Sequence, residues 1–138
     1  MSAEFDALKA RALKAREFTH TIGEHGFTLR MPTEHEVTQV LHRHRLLAGG
    51  FDLTVEKLSR YHLLCSHLIG WTGVRERDLL PLSARGAAEE ALAAPLPWSA
   101  DAVPLYLDAN PATARKLGEE LMRRTSERDT ALEAEAGN

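Results

Sequence analysis

The chain of 138 residues contains one cysteine, Cys65, so no intrachain disulfide can form and stability has to come from packing. Aromatic residues are scarce at 6%, which makes each of the two Trp, two Tyr and four Phe a candidate anchor of the core or of a contact. No run reaches the roughly 18 consecutive apolar residues of a membrane span, so no membrane partner is expected. The opening stretch MSAEFDALKARALKAR lacks the apolar centre of a secretory signal, and a cytosolic, reducing setting is the expectation. Charge of one sign is missing as well. Seventeen Lys and Arg are interleaved with 20 Asp and Glu for a net charge of −3, so avid binding to a nucleic-acid backbone is not implied.

What is present is an ordinary globular balance, 43% apolar and 27% charged residues, at a length suited to one core. A single domain over 1–138 is expected. Residues 1–16 form an N-terminal helix, with Ser2 as its cap and Phe5, Leu8 and Ala12 on one side. EFTHTIGEHGFTLRM then alternates: Phe18, His20 and Ile22 lead into a Gly-bounded loop, and Phe27, Leu29 and Met31 lead out. That period of two predicts a β-hairpin over about 17–31, closed by Pro32. Thr33 and Glu36 have capping-box spacing, and Val37, Val40, Leu41 and Leu47 continue at helical spacing to Gly49 and Gly50. A third helix opens near Asp52 or Thr54, with a stripe of Leu58, Tyr61, Cys65 and Leu68 widened by Leu64 and Ile69.

Gly70 suits the left-handed position just past the end of that helix, with Trp71 folding back onto the core. Residues 84–97 read as an Ala/Pro-rich insertion. Asp101, rather than Ser99, is the expected cap of a short helix bearing Val103, Leu105, Tyr106 and Leu107. Asn110 and Pro111 open a last helix with Ala114, Leu117 and Leu121 on a narrow stripe. Its outer face pairs Lys116 with Glu120, Glu119 with Arg123 and Glu120 with Arg124, and 133–138 is expected to fray. The fold class expected is therefore mainly α, a compact helical domain with one N-terminal hairpin.

Seven histidines raise the question of a metal. His62 and His67 lie five apart, roughly 140° around a helix, whereas a zinc-binding helical pair is spaced by four. His42 and His44 diverge further, and His35 and His42 sit about 10 Å apart along the axis. The expectation is no metal, and histidines on solvated helix faces. Cys65 on an apolar stripe reads as a small hydrophobe rather than a nucleophile. HEV at 35–37 lacks the second histidine of the zinc-protease motif, and the glycines fit no phosphate loop. No enzyme and no cofactor are expected.

Three stretches, FTLRMPTEHEV, HLIGWTGVRERDLLP and LPWSADAVPLYLDANPATARKLGEELMRR, together resemble the small tail assembly chaperones of long-tailed bacteriophages and prophages. Pro32-Thr33 matches the strand-to-helix element, Gly70-Trp71-Thr72-Gly73-Val74 the turn, and Trp98-Ser99 the aromatic-serine helix start. Thr72 stands where the family pattern has an acidic residue, and Trp98 where it has Phe. The resemblance implies a non-enzymatic chaperone in the cytoplasm of the bacterial host, with the tape-measure and tail-tube proteins as partners and room for a homo-oligomer. Candidate partner contacts are Trp71, Val74, Trp98, Tyr106, Leu117 and Leu121, of which Trp71 and Trp98 are also expected to pack on the core. The alternative reading is a structural virion protein, a minor tail or head–tail connector component.

Overall fold

A computed structural model describes residues 2–48, 61–81, 83 and 92–137. Helix α1 (Ala3–Lys14) starts where the Ser2 hydroxyl accepts a hydrogen bond from the Phe5 amide, and it buries none of its residues. The hairpin follows as β1 (Glu17–Ile22) and β2 (His25–Arg30), antiparallel, with Phe18 opposite Leu29 and His20 opposite Phe27. Its turn is tighter than the sequence suggested: two residues, with Gly23 at a φ of 61°, as a II′ turn requires of its first position. Beyond Pro32, α2 (Glu34–Ala48) opens on the expected reciprocal cap, the Glu36 amide donating to Thr33 Oγ1 and the Thr33 amide to Glu36 Oε1.

The third helix, α3, is described over 61–67, and it ends before the residues assigned to its tip. Leu68–Thr72 forms a strand, β3, antiparallel to β2, so the sheet has three strands in the order β1-β2-β3. This corrects the fold class: the protein is a mixed α/β domain with a three-stranded antiparallel sheet, not a helical domain with a lone hairpin. Gly70 lies inside β3 opposite Thr28, and the left-handed residue is Gly73, at a φ of 77°.

The β2–β3 register shifts between Thr28 and Leu29, where Gly70 and Leu68 are the partners and Ile69 is the extra residue. That bulge has a packing consequence. Residues three apart on a regular strand point to opposite faces, yet both Leu68 and Trp71 have to reach the core with Phe27 and Leu29. One inserted residue restores the phase, and all four are buried.

Leu63 and Leu64 of α3 join that core, together with two further helices. Helix α4 (Ala102–Ala109) buries Val103, Tyr106 and Leu107, and α5 (Pro111–Ala136) buries Leu117 and Leu121. The caps differ from expectation: Ser99 Oγ accepts from the Ala102 amide, and Asp101 makes no capping bond. Asn110 turns its side chain back onto the Tyr106 and Asp78 carbonyls rather than over α5. On the outside of α5, Arg124 pairs with Glu120 and stacks on the Phe18 ring, while Arg123 takes Glu120 and Glu127 in place of Glu119. Helix α5 continues through the stretch expected to fray, as far as Ala136.

The segment treated as an insertion is partly integral. Its 84–91 portion and Leu58 lie outside the described residues. Beyond it, the Leu96 amide donates to the Val74 carbonyl, and the Glu76 and Arg77 amides donate to Ala94 and Leu92, extending the ladder next to β3.

Candidate functional site

Two clusters of titratable side chains are built by contacts between distant segments. The first joins the hairpin turn to α4. Tyr106 is fully buried, ringed by Phe27 at 5.6 Å and Trp71 at 5.4 Å between centroids. Its hydroxyl lies 2.8 Å from His25 Nδ1, and His25 Nε2 lies 3.2 Å from Asp78 Oδ2. A carboxylate only accepts, so Nε2 donates to Asp78, and the Nδ1–hydroxyl contact completes a Tyr106–His25–Asp78 chain. Asp78 sits on a short 3-10 helix (Glu76–Leu79), where its carboxylate also accepts from the Arg75 amide at 2.8 Å. Burial pushes the Tyr106 phenol well above its ordinary value, with the Asp78 charge adding to the shift, so it stays protonated as a donor.

A Tyr–His–Asp chain has the connectivity of a proton relay, but its tyrosine end is sealed inside the core. What it does is tie three elements together, turn, 3-10 helix and α4, and Asn110 adds a bond from its amide to the Asp78 carbonyl at 2.7 Å.

The second cluster centres on Glu36. Arg16 Nη1 donates to Glu36 Oε1 at 2.7 Å, and His67 Nε2 lies 2.9 Å from Oε2. His67 Nδ1 is 2.8 Å from the Leu63 carbonyl oxygen, so both ring nitrogens face acceptors. Of the helix-borne histidines, His35, His42 and His62 are exposed as expected, whereas His67 is 4% exposed. Desolvation alone would raise the Glu36 pKa. Bonds from Arg16, the Thr33 amide and His67 outweigh it and bring the value down to about 2.

A pH prediction arises here. Because the folded pKa of Glu36 lies below its ordinary 4.5, the cluster contributes stability above that value and loses it as pH falls toward about 2. Denaturant unfolding at pH 7, 4 and 3 is expected to show stability falling with pH, and Glu36→Gln is expected to flatten that slope. A slope unchanged in the variant would assign the acid sensitivity elsewhere.

Cys65 is half-buried beside Tyr61. Burial pushes its thiol up, so it is a poor nucleophile. Tyr61 donates to Asp108 Oδ1 at 3.0 Å, tying α3 to α4. Among the described residues, no group of three or more His, Cys, Asp or Glu side chains is arranged to hold a metal. None of the described helices is long and apolar enough to cross a membrane.

The six residues singled out as partner contacts come together, but inside the protein. Trp71, Val74, Tyr106, Leu117 and Leu121 all belong to the buried core, and Trp98 is half-buried against it. Trp71 donates its indole N–H to the Leu96 carbonyl at 2.9 Å, whereas the Trp98 nitrogen is buried without an acceptor among the described residues. Among the described residues, the large apolar side chains that face solvent are Phe5, Leu8, Leu105 and Leu132. Helical spacing marked Leu64, Leu68, Leu117 and Leu121 as apolar positions that are buried, but it also marked Phe5 and Leu8, which are exposed, and missed the buried Leu63. No protein-family model, curated protein or solved structure matches the chain.

Proposed function

We propose that the protein is a non-enzymatic tail assembly chaperone of a long-tailed phage or prophage, acting in the host cytoplasm on the tape-measure protein and helping to recruit tail-tube subunits. One observation carries the reading beyond the sequence resemblance. The three stretches that resemble the family lie far apart in the chain and converge on one unit: FTLRMP supplies β2, HLIGWTGVRERDLLP supplies β3 and the 3-10 helix, and the third supplies α4 and α5. The β2–β3 pairing joins the first to the second, and the Trp71–Leu96 and Asn110–Asp78 hydrogen bonds join the second to the third. Their packing into one unit is what supports reading the three stretches together as one pattern.

The partner contact shifts outward under this reading. Leu105 sits on α4 within the third stretch and is 56% exposed, next to the buried Tyr106. It offers an apolar contact for an amphipathic helix of the tape-measure protein, whose own stripe would otherwise self-associate. Co-expression with the tape-measure protein of the same phage is expected to raise the soluble yield of that protein and to give a complex that survives moderate salt. Leu105→Glu is expected to abolish co-purification while leaving the far-UV circular dichroism unchanged. Unchanged yield and no complex at low salt would overturn the reading and favour the virion-component alternative.

A further inference from the structure

The three-stranded sheet ends on β1, and the outer edge of that strand has no neighbouring strand among the described residues. Across a two-residue turn the flanking residues Ile22 and His25 exchange hydrogen bonds, and in an antiparallel ladder such pairs alternate. Phe18, His20 and Ile22 therefore give their backbone groups to β2. Glu17, Thr19 and Thr21 each direct an N–H and a C=O away from the sheet, at intervals of about 6.8 Å. Edge strands are commonly blunted by Pro, Lys or a bulge. The sequence of β1, EFTHTI, has neither residue, and its register with β2 is unbroken. The chain that continues from β3 differs, since it takes the 92–96 segment as its neighbour, Pro95 included.

The chemistry beside this edge selects what fills it. Donors and acceptors at that spacing are matched by an extended peptide backbone. On the core side of β1, Phe18 and Ile22 are half-buried, so apolar side chains of an added strand extend the shelf they form. Arg124, which stacks on the Phe18 ring, already has Glu120 as its partner. On the opposite side lies an open hollow of about 310 Å³ bordered by Lys14, Glu17, Phe18, Thr19 and Thr28. Glu17 is paired with Arg30 at 3.4 Å, whereas Lys14 is exposed and has no carboxylate partner among the described residues. We propose that the open edge of β1 captures an extended segment of a partner protein, apolar at alternate positions with a carboxylate between them. Pairing antiparallel, as throughout this sheet, the segment bonds to Glu17, Thr19 and Thr21 and sets its carboxylate opposite Thr19, beside Lys14. This inference stands independently of the chaperone reading.

Amide hydrogen exchange of the full chain, read residue by residue by NMR, tests it with a synthetic probe, acetyl-Val-Thr-Val-Glu-Val-Thr-Val-amide. The probe is N-methylated at its third and fifth residues, so one edge is free to pair with β1 and the probe does not stack on itself. At millimolar probe, exchange at the Glu17, Thr19 and Thr21 amides is expected to slow at least about threefold, while Phe18, His20 and Ile22, already bonded to β2, change little. The isomer methylated at its second and fourth residues lacks the donors that face β1 and is expected to have no effect. A probe with lysine in place of glutamate is expected to bind at least about threefold more weakly, and Lys14→Glu to restore its binding. Thr19→Pro removes a donor from the edge, where proline is tolerated, and is expected to abolish the slowing with the circular dichroism unchanged. Thr19→Val keeps the backbone and is expected to retain it. No slowing at the three amides would overturn the proposal, as would equal slowing by both methylated isomers or equal binding of the lysine and glutamate probes. Slowing that grows with protein concentration in the absence of probe would give the edge to a second copy, and would overturn it as well.

Discussion

Replacing Trp71 by alanine is expected to lower the unfolding free energy by about 3 to 5 kcal/mol, the range for removing a large aromatic side chain from a core. Trp71 is 9% exposed, its ring lies 5.4 Å from that of Tyr106, and its N–H is bonded to the Leu96 carbonyl. The loss therefore has two parts, a cavity between β3 and α4 and an unpaired carbonyl in the segment that runs beside β3. Trp71→Phe separates them. It keeps most of the ring contact and removes the donor, and a cost of about 1 to 3 kcal/mol is expected for the carbonyl left without its partner. Chemical denaturation of the two variants measures both. A Trp71→Ala protein as stable as the wild type would show that the ring packs elsewhere.

The second large effect separates two glycines of one motif. Gly73→Ala is expected to cost about 3 kcal/mol or more, whereas Gly70→Ala is expected to stay within about 1 kcal/mol. Gly73 has a φ of 77°, and a Cβ built there would stand 2.2 Å from the Glu24 carbonyl oxygen, a backbone atom of the hairpin turn. Neither the conformation nor the contact can be relieved by rotating a side chain. Gly70 has an ordinary strand backbone, and an added Cβ would meet Thr28 Cβ at 3.5 Å, an ordinary contact. Thermal unfolding of the two single variants decides between the strand geometry and the helix-cap geometry, in which Gly70 would be the sensitive position.

Between these two glycines lies the difference between what was legible in the residues and what was not. The hairpin was legible because both its strands and its turn are local: alternation at Phe18, His20, Ile22, Phe27 and Leu29 and a glycine between them act within fourteen residues. The Thr33–Glu36 cap, the Ser2 cap and the proline start of α5 were legible for the same reason, each being a backbone requirement met within one turn. Many apolar residues of the core, Leu64, Leu68, Leu117 and Leu121 among them, were legible by type and spacing, but which apolar face is covered depends on neighbours, so Phe5, Leu8 and Leu105 stay exposed and Leu63 is buried.

The fate of LIGWT was different. Its helical and extended readings are close in intrinsic preference, and the balance was tipped by β2, whose open edge lies about forty residues earlier in the chain and accepts Leu68–Thr72 as a third strand. The bulge at Ile69 that turns both Leu68 and Trp71 inward, the pairing of Glu36 with His67 across 31 residues, and the burial of the residues expected at a partner surface all follow from that one pairing and the helices packed on it. Local backbone chemistry acts over a turn or two and leaves its signature in adjacent residues. Strand pairing and helix packing draw on surfaces that exist only once distant segments have met, and no spacing along the chain records which face they will share.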